Sequence, residues 1–333
     1  MDNIPQSDPW FIVENGFQAN NKLEAESVFS IGNGQLKQRG NFEEYYSGET
    51  MPGSYITGNY SPRQEDLLNH KNGIPGASGI IANAPDWTGI KVQLNEEKLD
   101  LAVWEVLNFK RILNMHEGFL ERTFEAISKK GHRIQVSVKR FLSMANTETG
   151  AISYKVKSIN FAGRISFMPV IDGDLQDYHQ NISEPVWNVL QTRTQHDVAH
   201  LWTQTRHTDF HICTALTYDL YKNNEHLNII PTKIEKEKIA GFSTGTDVKS
   251  GDTISLTKYV AILNSKNYPR NELTEKACEL ARFSKQKGWN KLFDEHKAVL
   301  KEKWENSNIF IEGDFKAQQA GLFEIYRTFI DSL

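Results

Sequence analysis

Cysteine is scarce in this chain. Cys213 and Cys278 are the only two in 333 residues, they fall in different predicted elements, and they form no C-x-x-C. Buried thiols are therefore expected rather than a disulfide or a metal site. No run approaches the roughly eighteen apolar residues of a membrane span. Met1 to Pro9 has neither the charged region nor the apolar core of an export signal, which makes the cytoplasm the expected compartment, although a periplasmic or secreted chain after signal removal would read the same way. A cationic excess is also missing. The 38 basic and 42 acidic residues are spread along the chain and leave a net charge of −4, so nothing resembles the basic stripe that a nucleic-acid partner requires. The glycines do not follow G-x-G-x-x-G spacing, and there is no nucleophile-elbow sequence and no zinc-type spacing; dinucleotide binding, serine hydrolysis and metal hydrolysis find no support.

What the chain does have is core material: 39% apolar residues, with 18 Phe, 11 Tyr and 7 Trp. Its length exceeds the usual single-domain range, so one large all-β domain plus something else is expected. Strand patterns come in series. Trp10 to Val13, Met51 to Tyr60, Ile80 to Asn83, Gly89 to Leu94 and Leu99 to Val103 read as strands, with a polar loop from Ser61 to Gly79. Phe119 to Ile127 and Ile134 to Phe141 pair across Lys129 to His132, with Ile134, Val136 and Val138 on one face and Gln135, Ser137 and Lys139 on the other. Ile152 to Ile159, Ile165 to Ile171, Trp187 to Thr194, Val198 to Thr205, Phe210 to Tyr218 and Ile254 to Leu263 continue the series, and so many strands without intervening helices predict two packed antiparallel sheets.

The period changes near Pro269. Asn271 to Phe283 and Trp289 to Trp304 read as amphipathic helices, the second with Trp289, Leu292, Phe293, His296, Val299, Leu300 and Trp304 along one face. Ile309 to Ile311 reads as a short strand, Asp314 as a helix cap, and Ala317 to Leu333 as a third helix despite Gly321. The apolar pattern is still running at Leu333, which suggests a chain that stops partway through a helical domain.

The stretch from Glu26 to Tyr46 stands out from a generic sandwich. Val28 and Ser30 fit a short buried strand, and Gly32-Asn33-Gly34 suits a tight reversal. Arg39, Glu43, Glu44, Tyr45 and Tyr46 then place charges and tyrosines on a segment pushed toward the surface. Either a ligand-contacting loop or an Arg–Glu pair that locks the loop would account for them. Glu43 and Glu44 are adjacent, so on a strand they point to opposite faces, solvated, and cannot supply the two facing carboxyls, about 5 to 10 Å apart, of a glycosidase. His207, Asp209 and His211 would share one strand face, either as a two-histidine, one-carboxylate metal site or, as expected here, as the polar face of a sheet. Trp87, Trp104, Trp187 and Trp202 could stack on sugars; core packing is the expectation.

Several segments, taken in order, resemble glycoside hydrolase family 65, which contains maltose, trehalose, kojibiose and nigerose phosphorylases and related α-glucoside hydrolases. They are Glu26 to Gly34 with Arg39-Gly40; Pro52 to Gly58; Asn83 to Trp87; Leu99 to Leu101; Leu113 to Arg122; Arg140 to Met144; Ile171 to Gly173; and Trp304 followed by Ile311 to Ala320. The chain departs from the family pattern at Lys37 and at Gly321-Leu322-Phe323. The resemblance implies a mainly β fold: an antiparallel β-super-sandwich over residues 1–268, a helical linker over 269–308, and the first helix of an (α/α)6 catalytic barrel over 309–333. It further implies an inverting phosphorylase or hydrolase of α-linked glucose disaccharides that needs no cofactor, uses inorganic phosphate as co-substrate if it is a phosphorylase, and forms a homodimer. The family's catalytic acid belongs to the barrel beyond Leu333, so no catalytic residue is assigned here, and the chain alone is expected to be inactive. The loop of Arg39, Glu43, Glu44 and Tyr45, with Tyr55, is then expected beside the substrate or the barrel mouth. A rival reading is a stand-alone carbohydrate-binding or scaffold sandwich.

Overall fold

Alternation of inward apolar and outward polar side chains builds most of the molecule. A computed structural model describes residues 8–19, 22–61, 80–174, 186–206, 208–307 and 309–331. The loop expected after Ser61, together with His207 and Leu333, lies outside the described residues. In chain order the elements begin β1 (Phe11–Asn15), α1 (Lys22–Val28), β2 (Ile31–Gly32), β3 (Leu36–Gln38), β4 (Ser54–Ser61), β5 (Ile80–Asn83), β6 (Ile90–Leu94) and β7 (Glu97–Lys98). They continue with β8 (Glu105–Asn114), β9 (Phe119–Ile127), β10 (Arg133–Leu142), β11 (Thr149–Ser158), β12 (Gly163–Asp172), β13 (Trp187–Gln195) and β14 (Val198–Thr205). The chain then runs through β15 (His211–Lys222), β16 (Glu225–His226), β17 (Thr232–Lys236), β18 (Ile239–Val248), β19 (Thr253–Asn264), α2 (Leu273–Ser307) and α3 (Phe315–Ile330).

A ten-stranded sheet runs β1-β8-β9-β10-β11-β19-β15-β14-β13, with β16 beside β15. It packs through a shared core on a five-stranded sheet, β17-β18-β12-β6-β7, and a four-stranded sheet, β2-β3-β4-β5, contributes Ile31, Leu36 and Ile56 to the same core. All pairings are antiparallel. On β10, Val136 faces Phe124 of β9 and Val156 of β11, and the core continues through Phe167 and Phe242 of the facing sheet. Each such ring contributes about 2 kcal/mol by leaving water. Lys258 of β19, fully buried, crosses between the layers and donates to the carbonyls of Trp87, Gly89 and Val170 at 2.5, 3.1 and 2.7 Å.

The expected strand at Val28 is instead the end of α1, because Lys22-Leu-Glu-Ala-Glu26 are good helix formers and Ser30 Oγ closes the helix by donating to Ser27 O at 2.8 Å. In the following turn only Gly34 takes positive φ, 89°. Asn33 shapes it with its side chain, accepting from the amides of Gln35 and Leu36 at 3.1 and 2.8 Å. Leu99 to Val103 is a turn rather than a strand: Leu99 N still donates to Val92 O at 2.9 Å, but Asp100 Oδ1 then accepts from Ala102 N and Ser47 N, and Leu99 and Leu101 are buried. Ile309 to Ile311 is not a strand either. Its backbone is tied to Gln318 of α3, and Phe310 is 84% exposed.

The two expected helices are both present as the two halves of α2, separated at Gly288, whose backbone (φ 75°, ψ 165°) is not helical. Leu273, Ala277 and Ala281 pack on Cys213, Ala215 and Leu263; Leu292 and Phe293 pack on Phe119, Phe141 and Tyr259. Asp314 caps α3, accepting from Ala317 N at 3.0 Å. The apolar side of α3 is not left open, because Leu322, Tyr326 and Ile330 join the sandwich core. A Cβ on Gly321 of α3 would lie 2.6 Å from Ile309 Cδ1, the tip of a 41% exposed side chain that can turn away.

Candidate functional site: a charge-locked segment beside an open cleft

Residues 39–44 have no regular secondary structure, so their backbone carbonyls need other donors. Buried arginines supply them. Arg140 Nη2 donates to Arg39 O at 2.6 Å, Arg111 Nη1 to Gly40 O at 2.9 Å and Arg140 Nη1 to Asn41 O at 2.9 Å. The two carboxylates of the segment are held the same way. Arg140 and Arg122 both reach Glu43, at 2.7 Å each, and Arg122 also binds both oxygens of Glu44. Tyr154 donates to Glu44 at 3.3 Å, and the Arg122 guanidinium lies over the Phe42 ring at 4.3 Å. Lys22 pairs with Glu26 at 2.7 Å, and Glu26 also accepts from Thr50 and Met51.

This corrects the expectation that Glu43 and Glu44 point to opposite faces of a strand and are solvated. They are 4% and 5% exposed, and a bend between them turns both to one guanidinium. Burial on its own would raise the Glu43 carboxyl; the charges of Arg140 and Arg122 outweigh it and hold the group below the ordinary carboxylate value. Burial works against the charge on Arg122, but Glu44 and Glu43 overcome it and push that guanidinium up. Lys22 is lowered by burial to about 8 despite Glu26. The chemistry of this cluster is retention of charge, the opposite of a proton donor with a raised pKa.

Next to the locked segment lies an open cleft of about 930 Å³ between the four-stranded sheet and α3. Arg39 and Tyr55 line it; Glu43, Glu44 and Tyr45 do not. Arg39 is fixed by Gly53 O, which accepts from its amide at 2.9 Å, and by its own Nη2 donating to Leu23 O at 3.0 Å. Tyr55 sits opposite Lys37 in the β3–β4 ladder. Tyr45 is 46% exposed elsewhere, with Lys98 5.8 Å from its ring. The structure thus divides the five candidate residues into two in the cleft wall, two in the lock beneath it and one apart. On the opposite wall α3 presents Glu324, Arg327, Thr328 and Asp331, and Lys37 ion-pairs with Asp331 across the cleft.

The other candidates resolve simply. Asp209 takes φ 52°, in a turn and not on a strand, and pairs with His211 at 3.1 Å and Arg270 at 2.5 Å. Among the described residues no cluster of His, Cys, Asp and Glu could hold a metal ion. Trp87, Trp104 and Trp187 are buried, and Trp202 is half-buried beside His211. Both cysteines are free; Cys213 is buried and Cys278 lies 3.5 Å from His200 Nδ1, its thiol pushed up by burial to about 11.

Comparison with known proteins gives these features a setting. The model of the glycosyl hydrolase family 65 N-terminal domain matches residues 12–303. Maltose phosphorylase of Bacillus subtilis is 29% identical over 326 residues, covering 97% of this chain and 42% of its own length. Alpha,alpha-trehalose phosphorylase of Thermoanaerobacter brockii is 26% identical over 324 residues, covering 94% and 41%. A solved structure described as a putative kojibiose phosphorylase from the human microbiome superposes with a TM-score of 0.87 at 21% identity, over 98% of this chain and 42% of that one. The chain thus spans about two-fifths of the length of the curated relatives it matches. With most of its residues matched by that model and the fold shared, the chain belongs to glycosyl hydrolase family 65 and carries the N-terminal domain of that family.

Proposed function

We propose that the chain is the non-catalytic part of an inverting α-glucoside phosphorylase or hydrolase acting on α-linked glucose disaccharides, and that it is inactive alone. In this reading residues 1–268 are the super-sandwich, 269–308 the linker and 309–333 the first barrel helix; phosphate is the co-substrate if the intact enzyme is a phosphorylase, and that enzyme is a cytoplasmic homodimer. The observation that carries it is the state of the acidic residues. A glycosidase needs one carboxyl kept protonated and a second facing it. Glu43 and Glu44, the adjacent acids of the family-like motif, are instead bound to guanidiniums, with Glu43 held below the ordinary carboxylate value. In the cleft, Asp331 is neutralised by Lys37, which leaves Glu324 without an ion-pair partner among the described residues.

The stand-alone binding module draws no support from the aromatics, since the large rings that would stack on a sugar are mostly in the core. Incubating the purified chain with maltose, trehalose and kojibiose, with and without phosphate, tests the proposal. No release of glucose or sugar phosphate is expected; sustained turnover of any of them would overturn it.

A further inference from the structure

Most arginines described here hold a carboxylate: Arg111, Arg122, Arg133, Arg140, Arg270 and Arg282 each do. Arg39, Arg164, Arg193 and Arg327 form no ion pair with a carboxylate among the described residues, and of these Arg39 and Arg327 line the same cleft. The third cation there, Lys37, is neutralised by Asp331. A guanidinium offers up to five N–H donors and no acceptor. Arg39 commits one of its nitrogens to Leu23 O, and Arg327 lies 5.9 Å from the Phe323 ring, on the same wall as Glu324 and Asp331.

The hydroxyl groups of the cleft have the complementary character. Ser30 donates to Ser27 O at 2.8 Å, Thr57 to Gly34 O at 3.1 Å, Thr328 to Ile325 O at 2.7 Å and Ser27 to Leu23 O at 3.4 Å. Each spends its single O–H on a backbone carbonyl and presents lone pairs to whatever enters. A ligand that satisfies such walls carries an oxyanion for the guanidiniums and several hydroxyl donors for the lone pairs. A bare anion meets the cations but brings no donor for the hydroxyl lone pairs, and a neutral sugar can accept from the guanidiniums but leaves their charge uncompensated. Glu324, which has no ion pair among the described residues, adds another acceptor for a hydroxyl. The volume, about 930 Å³, is ample for a hexose with an anionic group, and Leu36, Ile56 and Ile330 give it an apolar floor.

We propose that the cleft between β3, β4 and α3 binds a small polyhydroxylated anion, a sugar phosphate or a sugar acid, through Arg39 and Arg327. Every lining residue named belongs to this chain, and the binding measurements below read the cleft separately from turnover, so failure of this proposal and failure of the scaffold reading are distinguishable.

Calorimetric titration of the 333-residue chain with glucose 6-phosphate and with glucuronate tests it and separates the two sources of charge, with maltose and inorganic phosphate as the uncharged and sugar-free controls. At least one sugar anion is expected to bind, and both controls are expected to bind at least about tenfold more weakly, since losing a charged hydrogen bond is worth that much. Arg327→Ala, at an exposed position with no ion pair, should leave the melting temperature unchanged and weaken the sugar anion by about tenfold. Arg39→Gln should weaken it as well. The proposal fails if neither sugar anion binds, if maltose or free phosphate binds as tightly, or if Arg327→Ala keeps full affinity.

Discussion

At residues 39–44 the guanidiniums that hold the chain are nearly sealed from water, Arg122 being 4% and Arg140 0% exposed. Along α2 the ion pairs to the sandwich are more open: Arg282 with Asp197 is 44% and 49% exposed, and Lys297 with Glu117 is 34% and 37%. The contrast shows where charge determines structure and where it decorates it. The 39–44 segment has no ladder of its own, so the carbonyls of residues 39–41 and both carboxylates depend on Arg111, Arg122 and Arg140. The docking of α2 rests on Leu273, Ala277, Leu292, Phe293 and Leu300, with Trp304 donating to Met115 O at 3.1 Å. Removing one member of a buried pair strands the other, whereas an exposed pair exchanges its partner for water.

The sharpest way to break that contrast is Arg122→Ala. It leaves two buried carboxylates facing each other, and a loss of about 3–5 kcal/mol in urea unfolding is expected, or failure to fold. Removing one charge of each sign, as Arg122→Met with Glu44→Leu, leaves Glu43 paired with Arg140 and should restore part of that loss. Next comes His296, the buried polar group under α2. Its Nδ1 accepts from Met144 N at 3.1 Å and its Nε2 donates to Glu117 O at 2.8 Å, which fixes the neutral tautomer, and burial lowers its pKa to about 4. The unfolded chain therefore binds the extra proton first as pH falls. Stability contributed by His296 is complete above the unfolded value of about 6.5 and declines toward pH 4, by on the order of 3 kcal/mol. Unfolding followed across that range should show the slope, and His296→Gln should lack it.

A smaller loss is expected for Lys258→Met. Burial lowers Lys258 to about 7, yet three carbonyls surround its nitrogen, and only an ammonium has a donor for each. Leaving them unpaired should cost about 2 kcal/mol by thermal or urea unfolding. Arg282→Ala, at the open end of the comparison, should change stability by less than about 1 kcal/mol, and salt should erase the difference.

Much of this architecture is legible in the sequence. The period-two runs of β9, β10 and β14 and the apolar face of the second half of α2 name the buried residues directly. The lock also left a trace. Arg122 follows Leu120 and precedes Phe124 on the inward face of β9, and Arg140 follows Val136 and Val138 on β10; a charge in an apolar register needs a buried partner. Which partner was not readable, since Glu43 and Glu44 lie 79 and 78 residues from Arg122.

β8 escaped the pattern because Asn108, at φ 53°, shifts its register against β9. β18 was missed because its close approach to β12 requires glycine: a Cβ on Gly241 or Gly245 would fall 2.3 Å from Pro169 O or 2.4 Å from Ile165 O. The cleft joins residues 27–57 to residues 324–331, a juxtaposition that no local pattern encodes.

The adjacent acids of the motif are either a lock or a reacting pair, and the ionisation of Glu43 distinguishes the two. A carbon-detected NMR titration of the Glu43 side-chain carboxyl in the folded chain reads it directly. A lock keeps that group ionised to below the ordinary carboxylate range, with Glu43→Gln used to assign the signal. Protonation of Glu43 near pH 6, as in a general acid, would contradict it.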